Sequence, residues 1–105
     1  MLDMPAELMS CMYYLEWYVH HEWNARLDWM IMDEGPNRGA TLVRMTMPYP
    51  INDEYELILG ATDEALEGRD PKEASLEMLS VLRQQVSDRA AEPDSLLLTD
   101  EADGP

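Results

Sequence analysis

From Leu8 to Trp23 apolar residues recur at helical spacing, with Leu8, Met12, Leu15, Val19 and Trp23 on one side. Asp3 as an N-cap, Pro5 near the start and Asn24 as a left-handed C-cap bracket one helix over residues 3–24. The same stretch also carries a strand pattern, because Tyr13, Leu15, Trp17 and Val19 alternate and are rich in β-formers. His20-His21-Glu22 contains no glycine, proline or Asp-Gly pair that would turn a strand back before the next segment, which favours the helix.

Alternation is clearer from Leu27 on. Leu27, Trp29 and Ile31 share one parity, Asp28 and Met30 the other, and the run ends in the turn-rich segment Asp33 to Gly39. Extended character resumes from Thr41 to Met47, with Leu42 and Val43, until Pro48-Tyr49-Pro50 closes it, since proline cannot donate to a ladder and restricts its predecessor. A third strand follows from Glu54 to Leu59, with Tyr55, Leu57 and Leu59 on one face and Gly60 at its end.

The remaining signals are helical. Thr62, Asp63 and Glu64 open a short turn that Gly68 can stop. Asp70-Pro71-Lys72-Glu73 combines an N-cap, a proline at the first helical position and an acidic third residue, in the manner of a capping box. The helix it starts runs to about Arg89, with Leu79, Leu82, Val86 and Ala90, widened by Leu76 and Met78, facing a core. The predicted fold is α+β: an N-terminal helix, a three-stranded antiparallel sheet and a C-terminal helix in one domain over residues 1–91, followed by a flexible acidic tail over 92–105.

Charge changes the picture more than any motif does. The 105 residues carry 22 Asp/Glu against 7 Lys/Arg, a formal net charge of −15. Residues 51–105 hold fifteen of those acids against Arg69, Lys72, Arg83 and Arg89. Such a body repels phosphates and anionic lipid and is steered towards basic surfaces. The expected partner is therefore a basic, nucleic-acid-binding protein, with no direct contact to nucleic acid or membrane; pairing with a second copy stays open. Self-repulsion also opposes folding, so salt is expected to stabilise the protein: its thermal midpoint should rise from low to moderate ionic strength, and a melt that does not move would contradict this.

The lone Cys11 allows no internal disulfide, and the chain shows neither the basic and apolar pattern of a signal peptide nor a run of membrane-spanning length, which points to a soluble, cytoplasmic protein. No catalytic residue, metal ligand set or cofactor motif is expected. His20 and His21 project about 100° apart on a helix and cannot chelate together, and no His-Glu-x-x-His or Cys-x-x-Cys pattern exists. Cys11 between Met9 and Met12 reads as a small buried hydrophobe, no glycine-rich phosphate loop is present, and Asn52 to Glu56 lacks the glycine of an EF-hand loop.

Two features suit a binding protein. Tyr13, Tyr14, Trp17, Tyr18 and Trp23 crowd one helix, which cannot bury them all; Tyr14, Trp17 and Tyr18 are the expected anchors, with Tyr14 and Tyr18 as the exposed pair. From Asp53 to Glu77 stand nine carboxylates, Asp53, Glu54, Glu56, Asp63, Glu64, Glu67, Asp70, Glu73 and Glu77, against two bases. Glu73 and Glu77 lie one helical turn apart, about 5–6 Å, close enough to the phosphate spacing of a nucleic-acid strand for such an array to occupy phosphate-binding arginines and lysines.

By size and charge the chain resembles the acidic inhibitors that phages and mobile elements deploy against defence nucleases, such as anti-restriction or anti-CRISPR proteins; no motif carries that likeness. The alternatives are an acidic chaperone-like adaptor that holds a client peptide on its aromatic helix and sheet, and a domain adapted to a high-salt cytoplasm. The nine methionines and three tryptophans are not what salt adaptation predicts.

Overall fold

The computed structural model describes residues 4–61 and 65–91. In chain order they form α1 (Ala6–Trp23), β1 (Arg26–Ile31), β2 (Ala40–Thr46), β3 (Glu54–Ala61) and α2 (Pro71–Ala91). The strands make one antiparallel sheet in the order β1-β2-β3, and both helices pack against each other on one of its faces, α1 over β1 and α2 over β3. The predicted α+β order holds, and residues 12–20 are helix. The short turn's Thr62, Asp63 and Glu64 and the tail over 92–105 lie outside the described residues.

Burial explains why helix defeats strand in α1. Leu8, Cys11, Met12, Leu15 and Val19 are all buried, which only a helical period places on one side. The helix ends as its sequence requires: Asn24 takes the left-handed conformation at φ 57°, ψ 29° and its N–H donates to His20 O at 2.9 Å. Its start differs from expectation. Pro5 flanks the first turn in extended geometry and offers no side-chain cap, its carbonyl accepting from Met9 N–H at 2.9 Å; Asp3 lies outside the described residues.

The strands divide their residues by parity. Leu27 in β1, Thr41, Val43 and Met45 in β2, and Tyr55 in β3 turn towards the helices, with Trp29 and Leu57 half-buried among them. Leu42 takes the other parity and faces out with Met30 and Ile58, which it meets across the sheet. Gly35 and Gly39, at φ 82° and 91°, make the β1–β2 loop, where Gly39 N–H donates to Met32 O at 2.7 Å.

In α2 the buried face is Ala74, Ser75, Met78, Leu79 and Leu82, with Val86 half-buried. Leu76 and Ala90, expected in that stripe, are exposed: position 76 is rotated off the line through residues 75, 79, 82 and 86 that points at the core, whereas Ala90 continues that line one turn beyond Val86 into the last turn of the helix, where residues 87–91 are all exposed. Glu22 and Arg83 tie the two helices at the surface, with Arg83 Nε and Nη2 donating to both carboxylate oxygens at 2.7–3.0 Å.

Candidate functional site

Because α1 commits residues 8, 11, 12, 15 and 19 to the core, the positions between them must face out. Tyr13, Tyr14 and Trp17 are accordingly 57%, 43% and 56% exposed. Tyr18, next to Val19 and one turn from Leu15, is pulled half into the core, so the exposed aromatics are Tyr13, Tyr14 and Trp17 rather than the pair Tyr14 and Tyr18. These rings are braced. Trp17 stacks on His21 with centroids 3.8 Å apart and meets Tyr18 edge-on at 5.5 Å, while Tyr13 meets Trp29 of β1 edge-on at 5.7 Å. His21 Nδ1 lies 3.0 Å from Trp17 O; a carbonyl only accepts, so Nδ1 carries the proton in this bond and fixes the ring under the indole.

This ridge has a groove on each side. One, of about 640 Å³, runs between Tyr14, Trp17 and Tyr18 and the start of α2, where Asp70, Pro71 and Lys72 form the opposite wall. The other, of about 460 Å³, lies between Tyr13, Glu16, Trp17 and His20 and the start of β1. Tyr13 and Trp17 line both. Grooves walled by aromatics with a few polar groups are the usual form of a recognition site.

The carboxylates predicted as one array are distributed over three places. Asp53, Glu54 and Glu56 sit at β3, where Arg44 reaches Glu56 at 2.8 Å and Glu54 at 3.9 Å, and Arg89 reaches Asp53 at 3.3 Å with its guanidinium 4.8 Å from the Tyr55 ring centre. Glu67 and Glu77 converge on Arg69. Asp70 and Glu73 stand at the start of α2, where Asp70 accepts from the Lys72 N–H at 3.0 Å; among the described residues Glu73 has no ion-pair partner. Asp63 and Glu64 lie outside the described residues.

Five of the nine thus already hold an arginine of their own chain. The pairs are exposed, so water and salt screen them and a competing cation can exchange with them. Sequence reasoning missed these pairings because they depend on strand register, which sets Arg44 opposite Glu56, and on the turn that brings Arg69 beside α2.

Cys11 is fully buried and its Sγ–H donates to Met78 Sδ at 3.7 Å. Burial pushes its thiol up to about 11, against a small opposing pull from Arg69. The folded state therefore prefers the protonated thiol. Its contribution to stability is complete below the ordinary thiol value of about 8.5 and is lost as pH rises through 11. Cys11 should resist an aromatic disulfide reagent at pH 8 in native buffer and react promptly in denaturant; fast native labelling would contradict its burial.

Among the described residues no three His, Cys, Asp or Glu side chains cluster closely enough to hold a metal ion, and no helix is long and apolar enough to cross a membrane. Comparison with known proteins finds no matching family model, no matching curated protein and no matching solved structure.

Proposed function

We propose that this chain is a small, cytoplasmic, non-catalytic interaction protein that inhibits or regulates a basic, nucleic-acid-binding partner. The observation that carries the reading is the braced ridge of Tyr13, Tyr14 and Trp17, held outward by a helix whose other face fills the core, on a body of net charge −15. Rigid tyrosine and tryptophan rings are the residue types that dominate binding energy at interfaces, and surrounding charge mainly sets encounter rate and salt dependence.

Asp70, in the wall of the larger groove, and Glu73, in the first turn of α2, pair with no arginine among the described residues and meet a partner's cations first. Asp53, Glu54, Glu56, Glu67 and Glu77 contribute by exchanging their own arginines for the partner's, so phosphate imitation is a secondary part of this reading. Its biological type is an inhibitor of the anti-restriction or anti-CRISPR kind, on grounds of size and charge. The groove favours a second reading, a client-holding adaptor, in which an extended or helical segment lies along the ridge and charge serves only solubility.

The test is capture from nuclease-treated host lysate on immobilised protein. A captured protein that binds DNA alone but not in the presence of this chain, and that elutes with salt, is the expected result. Capture that survives Asp70→Lys with Glu73→Lys unchanged at all salt concentrations would favour the adaptor instead.

A further inference from the structure

The two edges of the sheet are not equivalent. Met47 N–H donates to Asp53 O at 2.8 Å, so odd residues of β2 turn their main-chain groups towards β3 and even ones towards β1. Since Asp28 lies opposite Arg44 and Met30 opposite Leu42, these β1 residues face β2, and Leu27, Trp29 and Ile31 turn N–H and C=O outward. At the β3 edge the outward carbonyl of Glu56 accepts from Gln85 Nε2 at 3.2 Å, so α2 covers it. Among the described residues no side chain does the same for β1. Leu27 is packed under α1, which leaves Trp29 and Ile31 as the open stretch.

Next to this open stretch, at the start of β1, lies the 460 Å³ groove, lined by Tyr13, Glu16 and Trp17 from the helix and by Arg26, Leu27 and Asp28 from the strand. Neither carboxylate has a cation within ion-pair distance among the described residues; Arg26 is the basic residue of the groove. A strand laid against β1 would alternate its side chains, one set under the aromatic ridge and the other on the open sheet face with Asp28.

We propose that the β1 edge accepts an extended segment of a basic partner as a fourth strand, apolar residues entering the groove and alternate lysines or arginines meeting Asp28. This rests on the reading that the partner is basic. Outward main-chain groups in a row select an extended chain over a helix. A second copy of this protein is a poor occupant, because two bodies of charge −15 repel and antiparallel β1 strands would bring Asp28 near Asp28.

The probe is a capped octapeptide of alternating lysine and valine, titrated into the isotope-labelled full chain. The Trp29 and Ile31 amide signals should shift, with roughly tenfold slower hydrogen exchange at saturation. N-methylating the peptide amides of one parity should abolish this, and methylating the other parity should not. Unperturbed Trp29 and Ile31 at millimolar peptide, or binding indifferent to N-methylation of either parity, would overturn the proposal. Ile31→Pro, checked for folding by circular dichroism, should block the peptide; if it unfolds, the methylation scan decides. Tyr14→Ala, which touches only the other groove, separates the two ideas: salt-sensitive partner capture lost with Tyr14 while the octapeptide fails refutes the edge alone, whereas octapeptide binding without any basic partner refutes the functional reading alone.

Discussion

Leu15→Ala is expected to destabilise the protein by about 2–5 kcal/mol, the range for emptying a well-packed core site. Leu15 is fully buried in the middle of α1, among Met12, Val19 and the facing residues of α2 and the sheet, including Leu82 and Val43. Small domains hold only about 5–15 kcal/mol in total, and this one also works against its own charge, so the substitution removes a large part of what keeps it folded. Chemical denaturation should show a lowered midpoint at unchanged slope. A loss under about 1 kcal/mol would mean that the helix–sheet core is looser than its burial indicates.

Trp17→Ala is expected to do the opposite: leave folding nearly intact and weaken partner binding by more than about tenfold, since interface tryptophans are frequent hot spots. More than half of Trp17 is exposed, and its contacts are with His21 and Tyr18 on the same helix, so its loss removes little core packing. Affinity measured by calorimetry and stability measured by denaturation should therefore separate, with the reverse pattern for Leu15→Ala. If Trp17→Ala lowers stability as much as it lowers affinity, the ridge is part of the core rather than a docking surface.

Much of the fold was legible because local and global signals agree. The helical run from Leu8 to Val19, the Asn24 cap, the Asp70-Pro71 start and the parity of Leu27 and Tyr55 each specify a local geometry that packing then keeps. Leu76 was misplaced because a stripe read as a list of apolar residues has no phase until a partner helix sets it, and Ala90 because the stripe continues past the core into the exposed last turn of α2. The aromatic ridge was legible as surplus: one helix face could not hold five large rings. Which rings stay outside depended on Tyr18 sharing a side with Leu15 and Val19.

The carboxylate array was the least legible part. Charge density along the sequence counted nine acids in one segment, but their directions follow from elements far apart in the chain. Arg44 lies a strand away from Glu54 and Glu56, Arg89 sits at the far end of α2 from the Asp70 cap yet returns to Asp53, and Arg69 closes on Glu77 across a turn. Composition counts the acids but not their partners, so it did not show that Asp53, Glu54, Glu56, Glu67 and Glu77 pair with arginines of the same chain.

The most direct test is the salt dependence of affinity for the captured partner, compared between the native chain, Trp17→Ala and Asp70→Lys with Glu73→Lys. The account predicts that the native complex weakens as salt rises, that charge reversal flattens this slope, and that Trp17→Ala lowers affinity by a similar factor at every salt concentration. An affinity independent of salt, untouched by either change, would contradict it.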